Sequence, residues 1–187
     1  MKLRVEHITR YEYDSPVAYA LQQIKLTPKE RPGQQLIHDW RVEITGGTNQ
    51  LHYTDHHGNG VDLIAVAGGA RELVIRCHGE VELETWDGVI GPHRGAMPLW
   101  TFLRPTPLTR VGRQVRALTA QLRRDYANDI ERAHALSALI IDRLAYRIGI
   151  TNAETTAEQA LAGEGGVCQD HAHIFIAAMR HLGHPAR

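Results

Sequence analysis

The chain has 187 residues, enough for one domain or two small ones, and 43% hydrophobic with 22% charged residues excludes a disordered chain. Lys plus Arg and Asp plus Glu number 21 each, and a formal net charge of zero argues against a nucleic-acid-coating protein, whose phosphate contacts need a basic excess. The apolar runs are short and broken by charges, the N-terminus carries an early acid, and Cys77 and Cys168 lie far apart in unlike settings; no bilayer-spanning helix, signal peptide or disulfide framework is read, and a soluble cytoplasmic protein is expected.

Period-two patterning opens the chain. Leu3, Val5, His7, Thr9, Tyr11 and Tyr13 share one face, and Lys2, Arg4, Glu6, Arg10 and Glu12 the other, with Ile8 the apolar exception. Asp14-Ser15-Pro16 supplies a turn, residues 17–26 resume a strand, and Thr27-Pro28 and Arg31-Pro32-Gly33 break it. Leu36, His38, Trp40, Val42 and Ile44 then alternate with polar residues, which places His7 and His38 on apolar strand faces as hydrogen-bonded core residues. Turns at Gly46-Gly47 and His57-Gly58-Asn59-Gly60 precede strands over 61–67 and 73–84, the latter with Leu73, Ile75, Cys77, Val81 and Leu83 on one face. Short alternating strands at these intervals predict an antiparallel β-sandwich or a strongly twisted sheet. The pattern holds to about Trp86, residues 87–98 read as a linker, and a β-rich domain over 1–98 is expected.

The remaining residues, 99–187, carry helical spacing. Val111, Val115, Leu118 and Leu122 form one apolar stripe, and Asn128 with Glu131 caps a helix bearing Ile130, Ala133, Ser137, Ile140, Ile141 and Leu144. Thr155 with Glu158 repeats the capping signal for a short helix ending near Gly163. Gly165-Gly166 leads into Val167-Cys168-Gln169-Asp170 and a last helix that stops at Gly183-His184-Pro185.

On a helical wheel Cys168 shares a stripe with Ala172, Phe175, Met179 and Leu182, while Asp170, His173, Arg180 and His181 fall on the solvent side. Cys168 is therefore expected in the first turn, facing inward. A helix N-terminus favours an anion, and its free N–H groups can receive an oxyanion when a sulfur attacks a carbonyl. The dipole contributes only ~0.3–1 kcal/mol at exposed ends, so strong thiolate character needs a partner cation, normally His. A free cysteine is most often a small buried hydrophobe, which is the reading of Cys77; position alone leaves Cys168 open between the two roles.

Residues 165–173, Gly-Gly-Val-Cys-Gln-Asp-His-Ala-His, and 177–187, ending Gly183-His184-Pro185-Ala186-Arg187, closely resemble the nucleophile segment of the transglutaminase-like superfamily in its bacterial papain-like branch. Tyr146, Thr155-Thr156-Ala157 and Ala160-Leu161 match the approach to that cysteine. His7-Ile8-Thr9-Arg10-Tyr11, Lys25-Leu26-Thr27-Pro28, Asp55 with Gly58-Asn59, and Leu103-Arg104-Pro105-Thr106 resemble the branch's N-terminal β-rich region. The resemblance implies an α+β fold, a β-sandwich-like domain followed by the helical first part of a papain-like core. It implies that Cys168 is the nucleophile of a cysteine acyl-transfer enzyme, a protease, amidase or transglutaminase acting through a thioester. Cys168's own N–H and Tyr146 are then oxyanion-hole candidates, although Tyr146 also fits as a core aromatic with its hydroxyl at the surface. Gly166, Gln169, Asp170 and His171 are candidates to line the site; Asp170 is also a candidate to cap or orient the loop before the helix, with a solvated acid in a first helical turn the simpler reading.

The family's catalytic His and its Asp or Asn partner follow the Pro-Ala-Arg segment, and neither maps onto residues 1–187; the chain is expected to be truncated after the nucleophile helix and to turn over little or nothing. Phe175, Ile176 and Met179 would then lack packing partners, so self-association or a disordered C-terminus is expected. No cofactor is implied. Cys168, His171 and His173 form a C-x2-H-x-H pattern, but His173 points about 140° away from Cys168, against about 60° for His171, so no metal site is read. The expected partner is a protein or peptide substrate, with no nucleic acid and no membrane. The rival class is a non-catalytic peptide- or protein-binding module using the β-rich domain.

Overall fold

The computed structural model describes residues 1–84, 89, 92, 93, 95–123 and 125–187, which divide into two units, Met1–Met97 and Pro98–Arg187. In the first, alternating side chains build six strands: β1 (Lys2–Glu12), β2 (Leu21–Ile24), β3 (Gln35–Thr45), β4 (Gly47–Thr54), β5 (Gly60–Val66) and β6 (Glu72–Leu83). They pair antiparallel in two three-stranded sheets, ordered β1-β6-β3 and β2-β5-β4. Ile24, Ile64 and Val66 of one sheet meet Leu73 and Ile75 of the other, with Val42 and Ile44 against them, so the inner faces close a sandwich core. Cys77 lies in the same β6 stripe, buried. The outward face of β1-β6-β3 carries exposed cross-strand ion pairs, Arg10 with Glu72 and Arg76 with Glu6 and Glu43.

Two expectations about this unit are corrected. The register of β3 against β6 shifts between Ile37 and Asp39, which inserts His38 as an extra residue. Ile37 therefore joins Trp40, Val42 and Ile44 on the partly buried face, while Leu36 is exposed and His38 turns outward to Glu82 at 2.7 Å. His7 is not a core residue either; it is exposed on β1 and bonds Thr9 Oγ1 at 3.1 Å. The end of the pattern at Trp86 and the part of the linker reading at residues 87, 88, 90, 91 and 94 lie outside the described residues.

In the second unit, short 3-10 turns at Leu99–Leu103 and Pro107–Thr109 precede α1 (Arg113–Thr119), α2 (Asp129–Arg143), α3 (Ala157–Ala162) and α4 (Cys168–His181). Their apolar faces meet in one core that includes Val115, Leu118, Leu136, Ile140, Leu161 and Ile174. Asn128 caps α2 by accepting the Glu131 N–H, as its spacing predicts. The buried stripe of α2 runs through Leu136, Ile140 and then Leu144, which leaves Ile130 and Ile141 exposed rather than inward. The cap of α3 is Thr156 with Gln159, not Thr155 with Glu158. Glu158 is drawn away to another helix, where its carboxylate accepts the N–H groups of Gly112, Gln114 and Val115 at 2.9 Å each.

The C-terminal residues are tied down, contrary to the expectation of disorder. Arg180 donates to the carbonyls of Phe102 and Ala186 and to Thr109 Oγ1, and the Ala186 N–H donates to Phe102 O at 3.1 Å. Burial draws the Arg180 guanidinium below its ordinary pKa. No helix among the described residues is long and apolar enough to cross a membrane. The architecture is α+β, with antiparallel sheets followed by helices.

Candidate active site

The turn before α4 is clamped to the chain leaving α2. Gly166 pairs in a parallel bridge with Tyr146: its N–H donates to Ala145 O at 3.0 Å, and its carbonyl accepts the Arg147 N–H at 2.9 Å. Only glycine fits there, because a Cβ at Gly165 would stand 2.6 Å from Ala145 O, and one at Gly166 would stand 2.7–2.9 Å from the Asp170 side chain.

Val167, the residue before α4, is gripped at both ends. Its N–H donates to Asp170 Oδ2 at 2.7 Å. Its carbonyl faces three donors, the N–H of Asp170 at 3.0 Å, the N–H of His171 at 3.2 Å and His171 Nδ1 at 2.9 Å. In a trans peptide the C=O and N–H lie in one plane and point in opposite directions. The inward Val167 carbonyl therefore turns the Cys168 N–H away from the helix body. Among the described residues the N–H groups of Cys168 and Gln169 have no hydrogen-bond partner, as expected for the first turn of a helix.

Cys168 is a free thiol, and it is exposed rather than facing inward. The buried stripe of α4 is Asp170, Ile174, Ala177 and Ala178, not the Cys168-Phe175-Met179 row, and Cys168 lies about 160° around the helix from Asp170. The sulfur opens instead onto a pocket of about 490 Å³ lined by Ile140, Ile141, Leu144, Tyr146, His171 and Phe175 together with Ser137. This pocket brings Tyr146, Cys168 and His171 together. Tyr146 is 63% exposed, so it is not a core aromatic, and its ring centroid lies 6.3 Å from that of His171.

His171 carries a second constraint. Besides Nδ1 on Val167 O, its Nε2 faces Leu144 O at 3.1 Å. Carbonyl oxygens only accept, and both ring nitrogens are directed at carbonyls rather than at the thiol. His171 staples the end of α2 to the start of α4 in this arrangement and is not placed as a base.

Asp170 and Gln169 point elsewhere. Asp170 is 1% exposed, which overturns its reading as a solvated acid; the wheel ranked it by polarity, whereas the fold draws it inward to the Val167 N–H and to Thr151 Oγ1, the latter at 2.7 Å. Its Oδ1 is buried without a partner. Gln169 Nε2 reaches the carbonyl of Asn152 at 3.3 Å. Sequence reasoning missed Thr151 altogether, since a threonine in a loop carries no periodicity. Among the described residues no group of three or more His, Cys, Asp or Glu could hold a metal ion.

Family comparison matches both units. The bacterial transglutaminase-like N-terminal region matches residues 3–82, and the transglutaminase-like superfamily core matches residues 116–187. An uncharacterised protein of Mycobacterium leprae (strain TN) is 27% identical over 199 residues, spanning 100% of this chain and 69% of that protein. A crystal structure from Cytophaga hutchinsonii, provisionally named a cysteine protease, aligns with a TM-score of 0.73 and 22% identity over 99% of this chain. The chain spans 65% of the length of that structure, and the likeness shows a shared fold.

Proposed function

The chain belongs to the transglutaminase-like superfamily, and from that membership we propose that it is a cysteine acyl-transfer enzyme whose nucleophile is Cys168. One observation carries the reading. An exposed free thiol stands at the first residue of α4 beside two unpaired backbone N–H groups, its own and that of Gln169. The Cys168 thiol gives its proton to solvent, the sulfur adds to the carbonyl carbon of a protein or peptide acyl donor, a C–S bond forms, and the carbonyl π pair moves onto oxygen. Those N–H groups receive the oxyanion, and Tyr146, on the same pocket, is the side-chain candidate to assist. Collapse expels the leaving group and leaves a thioester, which water or an amine then takes.

An amine leaving group must collect a proton, and His171, with both nitrogens on carbonyls, does not supply it in this arrangement. Activated esters therefore separate the nucleophile from the missing acid, because p-nitrophenolate departs without a proton. Intact-mass measurement after p-nitrophenyl acetate should show one acetyl group on Cys168, formed faster than on glutathione at the same pH and absent from Cys168→Ala. Peptide amides should turn over far more slowly. Acylation no faster than that of glutathione would sink the reading and favour the binding-module alternative.

A further inference from the structure

We propose that Asp170, latched by Thr151, is the positioning residue that sets the oxyanion donors beside Cys168. The inference rests on Cys168 being the nucleophile. Asp170 holds Val167 from both sides, taking its N–H on Oδ2 and giving its own N–H to the Val167 carbonyl. The carboxylate anchors the Gly166–Val167 peptide while the Asp170 backbone N–H anchors the Val167 carbonyl. With Val167 held at both ends, the next peptide, whose other edge is the Cys168 N–H, keeps its direction, and the carboxylate itself never meets the substrate. Thr151 Oγ1 closes the arrangement at 2.7 Å on the same Oδ2, and ties in the 150–155 loop, which also holds the Gln169 side chain through Asn152 O.

Two features speak for positioning over simple packing. Asp170 is 1% exposed with Oδ1 unpartnered, and an acid buried with one oxygen unsatisfied costs stability that an apolar side chain would not. The neighbouring backbone is also shaped around it, since a Cβ at Gly166 would stand 2.8 Å from Oδ2. The carboxylate therefore sits in a socket that opens on the nucleophile turn.

The test compares two reactions of the same sulfur in the full chain. Ester acylation passes through an oxyanion; alkylation by iodoacetamide displaces iodide at a saturated carbon and forms none. Asp170→Asn and Thr151→Val should slow acylation of Cys168 by p-nitrophenyl acetate about tenfold or more, within the roughly hundredfold that a misplaced group can cost, while alkylation changes less than about threefold. Thr151→Ser, which keeps the hydroxyl, should restore acylation. Circular dichroism reports folding, and if Asp170→Asn fails to fold, Thr151→Val and its serine counterpart decide. Unchanged acylation, or an equal fall in both reactions, would overturn the positioning role while leaving the nucleophile in place. Wild-type acylation no faster than that of glutathione would overturn both.

Discussion

Glu158 gathers three backbone N–H groups of the first turn of α1 on one carboxylate, although α1 begins with Gly112 and Arg113 and has no capping side chain of its own. Glu158→Ala leaves those donors without their acceptor and should lower stability by roughly 1.5–3 kcal/mol, the range for hydrogen bonds to a charged group. Burial raises this carboxyl's pKa, but the bonds from Val115, Gln114 and Gly112 and the charge of Arg116 outweigh it and hold it below the ordinary 4.5. A depressed carboxyl stabilises the fold fully above about 4.5 and progressively less as pH falls through its lower folded value. The urea midpoints of wild type and Glu158→Gln should therefore lie furthest apart near neutrality and converge in acid; a gap unchanged at low pH would contradict the cap. The spacing of Thr155 and Glu158 suggested a local cap, and Asp170 looked solvated on a wheel, for related reasons: Glu158 serves donors that sequence spacing cannot place, and Asp170 adds to its local bond with the Val167 N–H a distant partner that spacing cannot place either. Glu158 reaches another helix, and Asp170 reaches a loop threonine.

The strands and helices themselves were largely readable, because period-two and helical spacings, the Asn128 cap and the glycines before Cys168 act within a few residues of chain. Where a single irregularity intervened, periodicity pointed the wrong way. The shift between Ile37 and Asp39 swaps the faces of Leu36, Ile37 and His38 while Trp40, Val42 and Ile44 stay inward; it lies opposite Val81 and Glu80 of β6, next to Gly79, which pairs with Trp40. A Cβ at Gly79 would collide with the Asp39 carbonyl, so β3 and β6 approach there more closely than any other residue allows. Gly79→Ala should destabilise the sandwich by about 1–3 kcal/mol, as overpacking does. Gly68→Ala, whose nearest neighbour would be Ala18 O at 4.0 Å, should change little. Thermal denaturation of the two variants checks this, and equal midpoints would mean that the bulge yields without strain. The start of α4 at Cys168 came out as expected, whereas its orientation did not, since the apolar row through Phe175 resembled a core stripe as strongly as the row through Ile174.

Each unit holds a core of its own, and each carries its own family match. All residues lining the Cys168 pocket belong to Pro98–Arg187. A chain of residues 98–187 should therefore fold cooperatively and acylate Cys168 at the rate of the full chain. Loss of acylation in a fragment whose circular dichroism remains helical would show that the β-rich unit contributes to the site. The two cysteines are divided between the units and unlike in setting: Cys77 is 3% exposed in β6, and Cys168 stands open at its helix end. Ellman's reagent should consequently register a single equivalent per native molecule and two in denaturant. Stoichiometric titration thus doubles as a gauge of the unfolded fraction in any preparation, and places a fluorescent or cross-linking tag at one address without mutagenesis.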